Sequence, residues 1–428
     1  MIVEFLEILL FALLVLMIAY LVRHCLFSIT ALNFLMKRKK DEIQNMQDTK
    51  YEPTVTILIP ARDEQHVVDR ILQRMTELTY PKNKTQIIII NDASVDETGK
   101  IADNYFKNHS NIQVIHRSKK AGGTGKASAL NYALRYARNE ILLCFDADYY
   151  PQTDIVEKLV QPFADPKVGA VQGRVIVLNE PQSLVTRLVA LERIGGYRVD
   201  QQARNSLGLI TQFGGTVGGF RRALLDRLGG WDESILAEDT DLTFRVYLAG
   251  YRVHYVLDAE CYEEAVENWR AYWKQRYRWA KGHMQCCFKH WYKFLTSKNL
   301  NLKQKIDGLL LLNIYYMPVF SLFLWIIGAL LFLINLPQWL SLLWGPVQFS
   351  LLSFTGNFAP FFEVGIGAYL DQRKRACWLI PLLIFTFLYN ILICTKAFFD
   401  LAISKICRKT YHNWDKTIHS GNGNCYIL

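Results

Sequence analysis

Thr54–Glu64 reads TVTILIPARDE, and Gln86–Asp92 reads QIIIIND. Each starts as a short apolar run rich in β-branched residues and ends in charged or amide side chains. That is the pattern of a strand buried on both faces that breaks off at a polar loop. Stretches with helical spacing follow both, at Val67–Thr79 and Asp96–Phe106. Further strands are predicted at Ile112–His116, Glu140–Phe145 and Val168–Val175, with a helix at Lys126–Ala137. Strand alternating with helix specifies an α/β fold, a mostly parallel sheet with helices on both faces.

Ligands of such sheets bind beyond the carboxyl ends of the strands. Those ends carry Ala61, Arg62, Asp63 and Glu64, then Asn91, Asp92, Ser94 and Asp96, then Asp146, Ala147 and Asp148. Carboxylates at three neighbouring strand ends repel one another unless a cation or a hydrogen-bonding ligand lies between them. Asp146 and Asp148 suit Mg²⁺ or Mn²⁺, which take one or two carboxylates plus phosphate oxygens and water. An Asp-x-Asp triplet is also common in solvated turns. Ala121–Lys126, AGGTGK, lacks the spacing of a Walker loop. Its glycines and Lys126 are placed either to approach a phosphate or sugar or simply to cap the next helix.

The 428 residues carry a net charge of +10, and 21% are charged against 51% apolar. The charges concentrate in the middle. Gly308–Phe362 has no Asp, Glu, Lys or Arg, and neither has Ala376–Thr395. A bilayer span needs about 20 apolar residues, so the first run has room for two helices parting near Pro337, and the second for one. Ile8–Val22 is apolar and continues to Met36. Glu4 and Glu7 stand where a signal peptide carries basic residues, which favours an uncleaved anchor. Lys37–Lys40 follow it, and Arg373–Arg375 lie in a later loop, so the positive-inside rule puts the central domain in the cytoplasm. The basic tail Lys405–Lys416 conflicts with three C-terminal spans, and one segment is then interfacial, re-entrant or miscounted. Excess basic charge beside apolar segments favours anionic lipid over nucleic acid as partner. The nine cysteines show no zinc-binding spacing and are expected to be reduced thiols.

Trp273–His283, WKQRYRWAKGH, joins the polar middle to the apolar end. It reads either as a hinge contributing to the site or as an interfacial belt of aromatic and basic side chains. Two other segments carry paired readings. FGGTVGGF, with Gly214, Gly215, Thr216, Gly218 and Gly219, is read as part of an acceptor site, against a tightly packed loop. Trp231 stacks on a sugar or belongs to the core. Glu238, Asp239 and Asp241 either do chemistry or cap a helix beginning near Leu242.

In this order IPARDE, NDASVD, FDAD, LAEDTDLTFR and QRYRW resemble the family 2 glycosyltransferases. Gln275, Arg278 and Trp279 match the Gln-x-x-Arg-Trp pattern of the membrane-integrated cellulose, chitin, hyaluronan and poly-N-acetylglucosamine synthases. Asp63 departs from the usual Asn, and Ala237 from the usual Thr. The resemblance implies a GT-A-like domain over 50–262 and interfacial helices over 263–305, flanked by an anchor (1–36), transmembrane helices (306–403) and a tail (404–428). It implies a UDP-sugar donor held by Ala61, Arg62, Glu64, Asp92, Lys126, Asp146, Gln275, Arg278 and Trp279. Asp146 and Asp148 would address the diphosphate through Mg²⁺ or Mn²⁺. Gly215, Thr216, Glu238 and Trp279 would hold the acceptor, and Asp239 would be the general base. The expected activity is inverting transfer at the cell membrane, first of all polysaccharide extension. The alternatives are single-step glycosylation of a lipid such as diacylglycerol, or a transporter or scaffold with a vestigial domain.

Overall fold

β1 (Val55–Ala61), β2 (Thr85–Asp92), β3 (Ile112–Arg117) and β4 (Ile141–Cys144) form the parallel half of one eight-stranded sheet. The structure, a computed structural model, describes residues 2–41, 51–118, 122, 125–333, 359–406 and 421. Along β1 and β2 the apolar side chains divide between two faces. Val55, Ile57 and Ile59 of β1 pack with α2 (Val68–Thr76), which presents Val68, Ile71, Leu72 and Met75 at helical spacing. Leu58, Ile88 and Ile90 face the other way, against Ala129, Leu130 and Ala133 of α4 (Lys126–Leu134). α3 (Thr98–Asn108) connects β2 to β3. Burial on both faces explains why these strands read as unbroken apolar runs.

The other half comprises β5 (Tyr150–Pro151), β6 (Val168–Val177), β7 (Gly218–Arg221) and β8 (Arg252–Glu263). β7 runs antiparallel to both β4 and β6, β8 is parallel to β6, and β5 is antiparallel to β8. The order β3-β2-β1-β4-β7-β6-β8-β5 is therefore mixed, with four of its seven pairings parallel. A side chain at Gly219 would meet the Leu142 carbonyl at 1.8 Å, and one at Gly218 the Val171 carbonyl at 2.2 Å. These two glycines let β7 thread between its neighbours, so they serve the sheet and not an acceptor.

Around the sheet run α5 (Ile155–Val160), α6 (Leu184–Arg193), a π-helical stretch (Ile194–Gln201), α7 (Gln202–Leu207), α8 (Arg222–Leu228) and α9 (Glu238–Leu248). α10 (Trp269–Thr296) then leads to α11 (Leu302–Leu312), α12 (Met317–Leu333), α13 (Ala359–Leu370) and α14 (Leu383–Ile406). Among the described residues three helical segments are long and apolar enough to cross a membrane: Val3–Phe34, Ile314–Leu331 and Lys374–Ser404. The helix expected beyond Pro337 and most of the basic tail lie outside the described residues.

α1 (Ile2–Asp41) does not stop at Met36. Its 40 residues measure about 60 Å, twice the hydrocarbon thickness of a bilayer. Leu10, Leu13 and Met17 pack on Leu324, Ile327 and Leu331 of α12, whereas Phe27 and Ala31 pack on Val199, Ala203 and Leu209 of the sheet-bearing domain. The changeover falls at Arg23, which bonds Asp200 at 2.9 Å and Asp307 at 3.2 Å.

Candidate active site

A cavity of about 630 Å³ opens at the carboxyl ends of β1, β2 and β4. Asp239, Asp148, Ala61, Arg62, Glu64, Asp92, Lys126, Asp146, Gly215, Thr216, Glu238, Gln275, Arg278 and Trp279 all line it, whereas Gly218 and Gly219 do not. These residues come from segments nearly the whole length of the domain apart, and the fold brings them to one place.

Beside β1, Ala61 closes the strand, and Arg62 and Glu64 line the cavity. The loop is fixed from the next strand. The Asp63 amide donates to the Ser94 hydroxyl, Glu64 to Thr98, and Gln65 to Asp96, while Asp63 accepts from the Val95 amide at 2.8 Å. Asp63 has φ +52°, a conformation that Asp and Asn tolerate well, so its departure from the usual Asn keeps the turn. Asp92 is buried and accepts from Arg117 at 2.7 Å. Among these strand-end carboxylates Asp92 is thus neutralised by a protein group, Arg117, without a bound cation.

At the end of β4, Asp146 and Asp148 face the same space. Lys126 forms an ion pair with Asp146 and donates to the Gly215 carbonyl at 2.9 Å. Burial works to lower the pKa of its ammonium, but Asp146 and Glu238 more than offset it and hold the value up. Thr216 accepts from the Asp146 amide at 3.0 Å. No three His, Cys, Asp or Glu side chains gather into a metal site among the described residues. Two hard carboxylates nonetheless fit a divalent cation whose other ligands are donor phosphates and water, the mode Mg²⁺ prefers. With EDTA, turnover is expected to fall by at least about 10²-fold and to return with Mg²⁺ or Mn²⁺. Asp148→Ala is expected to match the chelated enzyme, and full activity in EDTA would remove the metal.

The acidic pair opens α9, which begins at Glu238 and not near Leu242. Burial raises the Asp239 carboxyl. Burial, followed by the neighbouring Asp239 charge, pushes Glu238 up to about 7. Asp241 takes no part in this repulsion. It is fully buried and bonds Arg245, Lys289 and His290 at 2.7, 2.6 and 2.7 Å. Asp239 accepts from the Thr240 amide at 2.6 Å, and its second oxygen faces Gly215.

α10 supplies Gln275, Arg278 and Trp279. The belt reading of this helix fails for its interior residues: Arg276 and Tyr272 are buried and bond Glu192, and Tyr277 donates to Asp400. The guanidinium groups of Arg276 and Arg193 lie 4.3 and 5.2 Å from the Trp279 ring centroid and fix the indole. Arg193 in turn grips Glu263, which also accepts from Tyr149 at 2.6 Å. Glu192, Arg193, Glu263, Glu264 and His283 all line the cavity and were missed in the sequence. Trp231 is a core residue, 3% exposed and edge-on to Phe220.

Residues 53–282 match the family described as glycosyltransferase like family 2, and the chain belongs to that family. A probable glycosyltransferase, YdaM, of Bacillus subtilis (strain 168) is 33% identical over 295 residues, which is 68% of each chain. The beta-monoglucosyldiacylglycerol synthase of Trichormus variabilis is 32% identical over 68% of this chain and 61% of its own length. The chain thus spans about three fifths of that relative. Among solved structures, a mannosyltransferase from Pyrobaculum calidifontis in complex with GDP-Man and Mn²⁺ has a TM-score of 0.53. At 23% identity over 85% of this chain and 99% of that one, it speaks for the GT-A-like fold alone.

Proposed function

We propose that the protein transfers a hexose from a UDP-sugar to the free hydroxyl of a membrane lipid of the diacylglycerol class. The observation that carries this reading is the shape of the cavity. Its lining joins Asp92, Asp146 and Asp239 to Ile314, Pro318, Phe387 and Cys394, residues of the segments long enough to cross a membrane. A lipid entering from the bilayer side brings its hydroxyl to Asp239 while its chains stay among apolar groups. The likeness to glucosyldiacylglycerol synthases supports the same acceptor and weighs against polysaccharide extension, the first expectation from the sequence. The catalytic domain sits on the cytoplasmic face.

In this scheme Ala61, Arg62, Glu64 and Asp92 hold the nucleoside. Lys126, Gln275 and Arg278 hold the diphosphate, and Asp146 and Asp148 would hold a Mg²⁺ or Mn²⁺ that would supply charge stabilisation for the leaving group. Gly215, Thr216, Glu238 and Trp279 frame the acceptor. The acceptor oxygen attacks the anomeric carbon as Asp239 takes its proton, and the bond to the diphosphate breaks with its electron pair leaving on UDP. Attack opposite the leaving group inverts the centre.

Purified protein in lipid, given diacylglycerol, Mg²⁺ and a panel of labelled UDP-sugars, is expected to yield label that extracts into chloroform as a mono- or diglycosyl lipid. A large, water-soluble product cut by a β-glycanase would reverse the assignment in favour of polymer synthesis.

A further inference from the structure

Glu263 and Glu264 stand at the end of β8, and both are tied to the loop that carries Asp146 and Asp148. Glu264 is tied through Arg70, which bonds its carboxylate at 2.8 Å and donates to the Asp148 carbonyl at 2.8 Å. Glu263 accepts directly, at 2.6 Å, from the hydroxyl of Tyr149, the residue after Asp148. The same Glu263 oxygen, Oε2, accepts from Arg193 Nη2 at 3.0 Å, while Arg193 Nε bonds Oε1. That guanidinium lies over the Trp279 ring, 5.2 Å from its centroid. Tyr149 and Glu263 are each 6% exposed, so water and salt screen these contacts little. An unbroken chain of contacts thus leads from Asp148 through Tyr149, Glu263 and Arg193 to Trp279, from the donor side of the cavity to the acceptor side.

The donor end of this chain is where a nucleotide changes the contacts. Lys126 pairs with Asp146 and donates to the Gly215 carbonyl. A diphosphate competes for the ammonium and its cation for the carboxylate, so donor loading rearranges the Asp146–Tyr149 loop. We propose that Glu263 is a positioning residue that couples the two substrates: donor binding shifts Tyr149, and Glu263 passes the shift through Arg193 to Trp279, which sets the indole for the acceptor. Because one oxygen serves both Tyr149 and Arg193, a change at either is felt by the other. Such coupling is reciprocal, so a bound acceptor tightens the nucleotide sugar in equal measure. The inference rests on the donor part of the scheme above and holds for either class of acceptor.

The test reads Trp279 itself and not turnover. The full chain is labelled with fluorotryptophan and placed in nanodiscs, and the Trp279 fluorine NMR resonance is assigned as the one missing from Trp279→Phe. UDP with Mg²⁺ is added to saturation, and its affinity is measured by calorimetry on the same samples. In the wild type the resonance is expected to shift. Tyr149→Phe removes only the hydroxyl, and Glu263→Gln removes the charge that holds Arg193. Each is expected to lose the shift while UDP still binds within about tenfold of the wild-type affinity. Glu264→Gln weakens the Arg70 tie to the same loop, leaves the Glu263–Arg193 pair in place, and is expected to keep the shift. Loss there would show general loosening and overturn the role of Glu263. A full shift in Tyr149→Phe and Glu263→Gln would mean that the indole meets the nucleotide directly, and a wild-type resonance unmoved by bound UDP would mean no coupling; either overturns this inference alone. Failure of UDP to bind the wild type with Mg²⁺ or Mn²⁺ would sink the donor reading and this inference with it.

Discussion

Asp239→Asn is expected to lower kcat by about 10² to 10⁴ while UDP affinity stays near the wild-type value. The loss is confined to chemistry because Asn keeps the oxygen that accepts from the Thr240 amide and loses only the ability to take a proton. In the proposed scheme donor binding falls to other side chains, Asp92 at the end of β2 and Asp146 and Asp148 beyond β4. A capping role would give the opposite result, since Asn caps helices as well as Asp does. Ala237 occupies the cap position, which its side chain cannot fill, and Asp239 accepts a first-turn amide that Asn would also accept, so the Asn variant isolates proton transfer from this bond. Near-normal turnover in the variant would move the base elsewhere, first of all to Glu238.

The same pair is expected to set the pH profile. A base works deprotonated, and burial raises Asp239 and brings Glu238 up to about 7. The rate is therefore expected to climb as pH rises toward neutrality, with the acid limb displaced upward from the ordinary carboxylate range. A limb centred near pH 4 would contradict the burial of this pair. The stability linkage runs the other way. With folded values above unfolded ones, both groups favour the native state at low pH; the Glu238 share is lost as pH rises from 4.5 through about 7, and the Asp239 share as pH rises above its ordinary value.

The strand ends were legible in the sequence because strands buried on both faces must be continuously apolar and must break off at polar loops. TVTILIPARDE and QIIIIND therefore announced both the sheet and one wall of the site. The strand-end rule was not carried to β8, although RVHYVLDAECYE alternates buried and more exposed residues along its length. Its end supplies Glu263 and Glu264, so that wall of the cavity went unread. Glu192 and Arg193 had no such signal. In LVTRLVALER they look like the solvated face of an amphipathic helix, and only the approach of α10 makes them partners of Arg276 and Trp279. FGGTVGGF divides for a similar reason. Gly215 faces Asp239, whereas Gly218 and Gly219 are needed where strands meet, and no local pattern separates the two uses. The Arg23 cluster joining α1 to Asp200 and Asp307 depends on residues 177 and 284 positions away.

Asp241→Ala is expected to be the most destabilising of these changes, by about 3 to 5 kcal/mol, the usual cost of removing one partner from a buried ion pair. Asp241 ties α9 to α10: one oxygen accepts from Arg245 on its own helix, the other from Lys289 and His290. Removing it leaves His290, 2% exposed, and part of Arg245 without a counterpart. Lys289 loses less, because it keeps Asp232 at 2.6 Å. Burial alone would raise the Asp241 carboxyl, but the His290 hydrogen bond and the Arg245 and Lys289 charges outweigh it and hold the value down to about 2. Its contribution is therefore present above the unfolded value of 3.8 and is lost as pH falls through about 2. Two residues away, Asp239 has the opposite character, with a raised carboxyl whose charge is costly to bury. Thermal unfolding and turnover measured side by side on the Asn variants should separate them. Asp239→Asn is expected to keep or gain stability and lose activity, whereas Asp241→Asn loses stability first. Equal unfolding temperatures for the wild type and Asp241→Ala would mean that the α9 to α10 contact is held by apolar packing alone.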